Sequence, residues 1–221
     1  MKNQQSIKSF VKRSKRLTSA QKLYLCNKNK NINYFTPNKI IDYFELFKNT
    51  NPCILDIGFG DGKLLVNIAK KYQEINFIGI EVYDSGIGNI LKQISKENLY
   101  NLKITKFDAV EFLENNVNDI SLDGISLFFP DPWPKKKHHK RRILNAKFLD
   151  LLSKKIKSGG FVKIATDWEN YGNDIIETFE KNSKFEKTND IDLFKFRPIT
   201  KFEKRGITLG HKIFELSYKL K

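Results

Sequence analysis

The chain has 221 residues, 40% hydrophobic and 13% aromatic, which predicts one substantial core and excludes a largely disordered protein. Its net charge of +15 and isoelectric point of about 9.6 indicate a polyanionic partner, unless the excess is a general bias in composition. Cys26 and Cys53 form no disulfide or zinc pattern, and no apolar run approaches a membrane span or signal-peptide core, so we expect a cytoplasmic protein without metal or membrane anchor.

Residues 1–33 form a basic amino-terminal arm. They contain Lys and Arg but neither Asp nor Glu, and such segments either bind polyanions or remain solvated, frayed termini. We therefore predict an arm at 1–33 and a single domain at 34–221. The domain is expected to open with a helix that starts near Thr36-Pro37 and carries Ile40, Ile41, Phe44 and Phe47 at helical spacing.

Short apolar runs alternate with helical stretches from residue 53 onward. The predicted strands are residues 53–57, 75–80, 102–107, 125–129 and 161–165. The predicted helices are residues 63–72, 85–94, 109–115, 143–156 and 168–179. This alternation predicts an α/β fold with a parallel sheet covered on both faces. Two further predicted strands, 191–196 and 213–220, have no long helix between them and indicate an antiparallel end to the sheet.

A glycine-rich turn, GFGDG, follows the first predicted strand. Its glycines, Gly58, Gly60 and Gly62, stand directly before a helix. Glycine lets the backbone pass close to a ligand, and the amino end of a helix offers unpaired N–H groups. A ligand site is therefore expected here, although such turns also occur as simple strand-to-helix connections.

Three acids lie at or near the ends of the first three strands. Glu81 can accept both hydroxyl protons of a ribose, and Asp56 suits the ammonium group of a methionine moiety while repelling a diphosphate. Asp108 can accept from an adenine amino group or cap the helix that begins at Ala109.

The loop and these acids resemble class I S-adenosylmethionine-dependent methyltransferases. The resemblance implies a doubly wound, mostly parallel, seven-stranded Rossmann-like sheet with an antiparallel last strand, and S-adenosylmethionine as the cofactor. A dinucleotide-dependent dehydrogenase is the alternative that the loop and the acids leave open by themselves.

The fourth strand leads into FFPDPWP, in which two prolines hold Asp131 at the carboxyl edge of the sheet. The basic run KKKHHKRR, residues 135–142, follows at once and would supply phosphate-binding charge at the mouth of the site. Isolated runs of this kind are more often solvated clusters or localisation signals, and simple packing is the alternative role for Trp133.

These motifs resemble the bacterial tRNA (guanine-N7-)-methyltransferase family, which methylates a guanine in the tRNA variable loop. The likeness covers residues 52–216 and consists of FPDPWP, KxxHxKRR, ATDW followed by Tyr171, and TKFExRG. It implies tRNA as the partner of a monomer or homodimer. The chain departs from frequent family patterns at Asp56, where Glu is common, and at Tyr83, where His is common.

The resemblance also assigns residues to three roles. Contacts with S-adenosylmethionine would come from the loop glycines and from Asp56, Glu81, Asp108 and Asp131, of which Asp131 would also be the catalytic residue. Substrate contacts would come from Lys135, Asp167, Thr200, Lys201, Phe202 and Glu203. RNA contacts would come from Lys137, His138, His139, Lys140, Arg141 and Arg142.

Guanine N7 is a lone-pair acceptor without a proton, so methyl transfer to it requires no strong general base. The enzyme must instead align the reacting atoms and favour a purine that gains positive charge. We therefore interpret Asp131 and Asp167 as orienting and electrostatic groups, Glu203 as a third, and Thr200 as a polar support. For Asp167, the alternative is a helix cap.

Two other functions remain open from the sequence. One is a noncatalytic RNA-binding protein with a methyltransferase fold, which the charge excess would support. The other is a methyltransferase that acts on a small molecule or a protein, which the basic run at 135–142 disfavours.

Overall fold

The computed structural model describes residues 8–11, 16–95, 97–195 and 197–221. Over these residues a sheet of seven strands forms the centre of the molecule, in the order β3-β2-β1-β4-β5-β7-β6. Strands β1 to β5 are parallel, and β7 runs antiparallel to both β5 and β6. The strands are β1 (Cys53–Ile57), β2 (Asn76–Glu81), β3 (Leu102–Lys106), β4 (Leu122–Phe128), β5 (Ile156–Thr166), β6 (Phe185–Lys187) and β7 (Phe214–Leu220). The predicted α/β sheet with an antiparallel last strand is thus confirmed.

Helices cover both faces of this sheet. They are α1 (Ser19–Cys26), α2 (Tyr43–Phe47), α3 (Lys63–Lys71), α4 (Asp84–Ile94), α5 (Ala109–Asn116), α6 (Ala146–Lys155), α7 (Glu169–Glu180) and α8 (Lys201–Thr208), with 3-10 turns at Lys28–Lys30, Lys136–Arg141 and Asp192–Phe194. One apolar cluster packs α5, α6 and α7 on the sheet, and a second packs α3 and α4. In β1, Leu55 belongs to the first cluster and Ile54 to the second, as the alternation of side chains along a strand requires.

The helix predicted from Thr36-Pro37 begins only at Tyr43. Its amino end is satisfied by Asp42, whose side chain accepts a hydrogen bond from the Glu45 backbone N–H at 2.9 Å. Before it, the Ile41 N–H donates to the Asn116 carbonyl at 2.8 Å, so that this part of the chain is bonded to the end of α5 and not to itself.

The strand predicted at 191–196 is wrong. The segment contains the 3-10 turn Asp192–Phe194, and Phe196 lies outside the described residues. The Phe194 ring packs edge-on against Phe128 at 5.2 Å and Phe161 at 6.2 Å between centroids. The apolar residues of this segment therefore anchor it to the second cluster, and the sixth strand is formed by β6.

The described part of the basic arm packs on the rest of the chain. Thr18 and Gln21 form a reciprocal capping box at the start of α1, and the Gln21 side chain donates to Asn89 on α4 at 3.0 Å. The Asn33 side chain is buried and donates to the Leu102 carbonyl at 2.7 Å. Residues 1–7 and 12–15 lie outside the described residues, and the division of the chain at residue 33 stays a prediction.

Across the described ranges, no helix is both long enough and apolar enough to cross a membrane. Nor do those ranges bring three or more His, Cys, Asp or Glu side chains together in a way that could hold a metal ion.

Candidate active site

The predicted site residues gather at the carboxyl edge of the sheet. Strand β1 lies between β2 and β4, so the strand order reverses there, and open α/β sheets bind ligands at such a point. Glu81 ends β2, and Asp108, Asp131 and Asp167 follow β3, β4 and β5 within three residues. The glycine turn follows β1, so five neighbouring strands contribute to one edge.

The glycine turn presents bare backbone to open space. Gly58 and Gly60 have φ values of +74° and +61°, a conformation in which an L-residue is strained. A Cβ added at Gly58 would meet no heavy atom within 4 Å, and one at Gly60 would meet only the Gly58 carbonyl oxygen at 4.0 Å. The turn therefore leaves room for close approach by a ligand.

The Glu81 carboxylate joins the end of β2 to this turn. Its Oε1 accepts from the N–H groups of Val82 at 2.7 Å and Tyr83 at 3.0 Å, and its Oε2 accepts from Gly60 N–H at 3.0 Å. Burial raises the pKa of Glu81, although these hydrogen bonds act to lower it, and the charge of Asp131 raises it further. A carboxylate has about four acceptor positions, so one remains on Oε2 for a ribose hydroxyl.

Asp56 is buried in β1 next to β4. Ser126, its register partner on β4, donates its hydroxyl to Asp56 Oδ1 at 2.6 Å. Burial raises the pKa of Asp56 to about 7 despite this hydrogen bond. A cation beside Asp56 would therefore favour loss of the carboxyl proton. Direct contact between Asp56 and the cofactor stays a prediction.

Asp108 caps α5, which was one of the two roles considered for it. Its Oδ1 accepts from the N–H groups of Val110 at 3.0 Å and Glu111 at 3.1 Å. Its Oδ2 takes no part in the cap and lies 4.0 Å from the Lys8 ammonium. One oxygen therefore stays available for an adenine amino group, so capping and ligand binding are compatible.

Backbone strain surrounds Asp131. Phe129 and Trp133, which flank the Pro-Asp-Pro sequence, have φ values of +55° and +46°, a conformation that costs about 1–3 kcal/mol at a non-glycine residue. The turn is held in place because Phe129 N–H donates to the Ala165 carbonyl at 2.7 Å and the Trp133 indole donates to the Ser9 carbonyl at 3.0 Å. Asp131 itself is exposed. Such strain is typical of functional sites.

An exposed basic surface adjoins this turn. The 3-10 helix Lys136–Arg141 follows the turn directly, and the Arg141 guanidinium lies over the Trp133 ring, 5.2 Å from its centroid. His138 contacts the same ring edge-on at 5.8 Å. Four lysines of this segment are exposed, and we call them the basic surface: Lys135, Lys136, Lys137 and Lys140.

The predicted RNA contact by Arg142 is contradicted by its surroundings. Arg142 is only 4% exposed and lies over the Tyr171 ring, 4.7 Å from its centroid. Its Nε donates to the Pro132 carbonyl at 2.9 Å, its Nη2 donates to Asn170 at 2.9 Å, and its Nη1 pairs with Asp174. All three nitrogens are thus used inside the protein, where they clamp the Pro-Asp-Pro turn to α7.

Two of the predicted substrate residues stabilise α8. Thr200 Oγ1 accepts from Glu203 N–H at 3.1 Å, and Glu203 Oε2 accepts from Thr200 N–H at 3.1 Å, which forms a capping box. Lys201 and Phe202 are exposed on the first turn of the helix, with Phe202 at 59%. A structural role thus accounts for Thr200 and Glu203, whereas Lys201 and Phe202 remain accessible.

Arg197 supports this region and was not among the predicted site residues. Its side chain is 5% exposed and forms a two-pronged pair with Glu203, at 2.6 Å and 3.1 Å, and a further pair with Glu215. Its guanidinium lies 5.1 Å from the Phe128 ring centroid and 5.9 Å from that of Phe129. No sequence pattern marks a lone arginine, so its pairing with Glu203 is visible only in the structure.

Asp167 does not serve as a helix cap. Trp168 occupies the cap position of α7, and no side-chain capping bond is present there. The Asp167 carboxylate lies 3.3 Å from Nδ1 of His211, and a Cβ added at Gly206 would come within 2.7 Å of the Asp167 side chain. Gly206 was predicted only as a position of the TKFExRG motif, and His211 was not predicted.

The chain matches the family model Methyltransf_4, described as "Putative methyltransferase", over residues 50–216. It is 42% identical to the tRNA (guanine-N(7)-)-methyltransferase of Francisella philomiragia subsp. philomiragia, over 98% of this chain and 96% of that protein. It is also 42% identical to the protein of the same name from Colwellia psychrerythraea, over 96% and 88% respectively.

Solved structures of low sequence identity share the fold. The 16S rRNA methyltransferase KamB aligns with a TM-score of 0.57 at 14% identity, over 83% of this chain and 95% of that one. A 30S ribosomal A1408 methyltransferase from an uncultured bacterium aligns with a TM-score of 0.53 at 20% identity, over 83% and 96%. The likeness supports the Rossmann-like methyltransferase fold.

Proposed function

The chain belongs to the methyltransferase family Methyltransf_4, and from this premise we propose that it transfers a methyl group from S-adenosylmethionine to N7 of a guanine in the variable loop of tRNA. Relatives 42% identical over nearly the whole chain carry the name tRNA (guanine-N(7)-)-methyltransferase. A cytoplasmic location follows from this substrate.

One juxtaposition carries the proposal. The open glycine turn and Glu81 form a cradle at the end of β1 and β2, Asp131 stands beside it on a strained turn, and the basic surface follows directly in the chain. A cofactor site, a fixed carboxylate and phosphate-binding charge therefore adjoin one another, as a methyltransferase acting on RNA requires.

The chain's own residues fit the parts of S-adenosylmethionine. Glu81 would accept from one ribose hydroxyl at the remaining position of Oε2, Oδ2 of Asp108 from the adenine amino group, and Asp56 would face the ammonium group. The turn at Gly58 and Gly60 would leave space for the ligand against the backbone. When bound, the cofactor supplies an electrophilic methyl group on a positively charged sulfur.

The remaining residues orient the guanine. Because N7 carries no proton, Asp131 acts by position and charge and not as a general base. Asp167 accepts from N1–H and N2–H of guanine and stabilises the purine as it becomes cationic. Donor and acceptor are thereby held in line while the two carboxylates compensate the positive charge.

The basic surface holds the tRNA. Lys135, Lys137 and Lys140 project into solvent beside the Asp131 turn and would contact phosphates. Arg141 adds a cation over Trp133, and the exposed Phe202 on α8 is available to contact the unpaired bases of a loop. Single-stranded loops are the part of RNA in which a base can be reached individually.

Transfer of a tritiated methyl group from S-adenosylmethionine to an unmodified tRNA transcript tests the proposal. We expect 7-methylguanosine on mass spectrometry of the digested product, and none when the variable-loop guanine of the transcript is replaced by adenine. Absence of 7-methylguanosine with folded protein would overturn the assignment.

The noncatalytic alternative makes a different prediction. A protein that merely binds RNA would retain affinity for tRNA but show no binding of S-adenosylhomocysteine. Titration calorimetry with that ligand distinguishes the two functions, because the proposed enzyme must bind both.

A further inference from the structure

Asp167 and His211 are brought together by the segment that follows α8. The two residues are 44 positions apart in the chain, yet the Asp167 carboxylate lies 3.3 Å from the His211 imidazole. Asp167 directly follows β5 at the carboxyl edge of the sheet, and His211 lies just before β7, which pairs with β5. Their contact therefore connects the predicted substrate carboxylate to the α8 segment.

The backbone of this segment is arranged for the contact. A Cβ added at Gly206 would come within 2.7 Å of Asp167, so only glycine lets α8 pack this closely. Beyond the helix, Gly210 has a φ of +74° and reverses the chain, and His211 N–H donates back to the Gly206 carbonyl at 2.9 Å. The imidazole is held further by an edge-on contact with Trp168, at 6.2 Å between centroids.

The hydrogen bond has a definite direction. An ionised carboxylate only accepts, so Nδ1 of His211 must carry the proton and donate to Oδ2 of Asp167. Among the described residues, His211 is the one hydrogen-bond donor to the Asp167 carboxylate, because Asp167 does not cap α7. Oδ1 and the second acceptor position of Oδ2 are then free for two donors.

A carboxylate with this freedom needs support to act on guanine. The side chain of Asp167 is 26% exposed and that of His211 is 33% exposed, so neither is fixed by burial alone. Without the imidazole, rotation about the Asp167 side chain would cost little and would misalign its two oxygens with guanine N1–H and N2–H. The hydrogen bond from His211 thus orients the Asp167 carboxylate, which would otherwise rotate in solvent.

We propose that His211 is a positioning residue for methyl transfer, which orients the Asp167 carboxylate towards the guanine through Nδ1–H. The inference rests on the proposed function, since it gives Asp167 the guanine as its ligand. His211 acts through Asp167 and requires no contact of its own with the substrate.

Three substitutions separate this role from simple packing against Trp168. His211→Ala removes the donor. His211→Asn puts an amide nitrogen near the position of Nδ1, and His211→Gln is the matched control, because its amide reaches instead towards the position of Nε2. We expect kcat to fall about tenfold in the alanine and glutamine variants, the effect of losing a hydrogen bond to a charged group, and to recover to within about threefold of wild type in the asparagine variant.

Affinities provide the second readout. The Kd for tRNA and that for S-adenosylhomocysteine should change by less than about twofold in all three variants, since the phosphate and cofactor contacts lie elsewhere. A loss of tRNA affinity equal to the loss of kcat, or an asparagine variant no better than alanine, would overturn the inference in favour of a packing role.

A double-mutant cycle tests whether His211 acts through Asp167. In an Asp167→Asn background, adding His211→Ala should cause no further loss of kcat, whereas independent effects would multiply and refute the inference. Wild-type protein in the same assay separates the two hypotheses. Failure of wild type to form 7-methylguanosine refutes the proposed function, while wild-type turnover with an equally active alanine variant refutes only the role of His211.

Discussion

The guanidinium of Arg142 lies 4.7 Å from the centroid of the Tyr171 ring, buried between the Pro-Asp-Pro turn and α7. Its neighbours in the basic run, Lys137 and Lys140, are exposed to solvent. The basic run thus contains residues of two kinds, lysines that are exposed to solvent and one arginine that stabilises the turn carrying the predicted catalytic residue.

Arg142→Ala is expected to lower stability, whereas Lys140→Ala is expected to weaken tRNA binding. Loss of Arg142 leaves the Pro132 carbonyl and Asn170 without their donor, and should lower the free energy of unfolding by about 2–3 kcal/mol. Loss of the exposed Lys140 should leave stability unchanged, weaken tRNA binding and reduce the slope of log K against log salt by about one. Urea denaturation measures the stability of the two variants, and tRNA binding at several salt concentrations measures their affinity. Equal destabilisation by both substitutions would contradict a structural role for Arg142 alone.

Asp131→Asn should remove most of the turnover while tRNA binds normally. The substitution keeps the shape of the side chain but removes the charge that is proposed to compensate the cationic purine, which we expect to lower kcat about 100-fold or more. Single-turnover methyl transfer and a tRNA binding assay are the measurements. A parallel fall in tRNA affinity would show that the carboxylate serves binding and not the reaction.

Cofactor affinity should depend on pH through Asp56. Burial raises the pKa of this carboxyl to about 7, so below pH 7 the free protein must release a proton before the group can pair with an ammonium ion. Binding of S-adenosylhomocysteine should therefore tighten by up to about tenfold per pH unit from pH 5.5 to pH 7, while the ligand's amino group stays protonated, and then level off.

Asp56→Asn should weaken this binding and abolish its pH dependence. Asp61→Asn, in the same turn, is the matched control, because the Asp61 side chain is partly exposed and accepts from Lys63 N–H. Calorimetry over the same pH range should show the wild-type dependence in that variant. A dependence that survives in Asp56→Asn would assign it to another group.

The glycine turn offers a test that separates strain from ligand contact. Gly58→Ala and Gly159→Ala introduce a methyl group at φ values of +74° and +79°, so both should cost about 1 kcal/mol of stability. The added methyl at Gly58 faces open space at the predicted cofactor cradle, whereas that at Gly159 approaches the Lys219 side chain at 3.7 Å. We expect the affinity for S-adenosylhomocysteine to fall at least about tenfold in Gly58→Ala alone.

Strands β1, β2 and β3 were predicted to within one residue because their sequence reflects their buried environment, whereas β4 and β5 begin three and five residues before their predicted starts. A strand covered by helices on both faces is mostly apolar, and β1, in which Asp56 is the one charged residue, begins and ends at the predicted residues. The cap formed by Asp108 was also foreseen, since capping depends on residues within one turn of the helix. In contrast, the apolar residues near Phe194 were mistaken for a strand, because periodicity over six residues does not tell a strand from an anchored turn.

By itself the sequence determined the α/β fold, the order of the motifs and the acids at the strand ends, because these follow from local patterns and from the rule that parallel strands carry their sites at one edge. Only the tertiary structure decided that Arg142 is buried, that Arg197 pairs with Glu203, and that His211 reaches Asp167. These contacts join residues through side-chain packing and chain reversals, whose partners no single segment encodes, and the burial of a charge depends on all the elements that surround it.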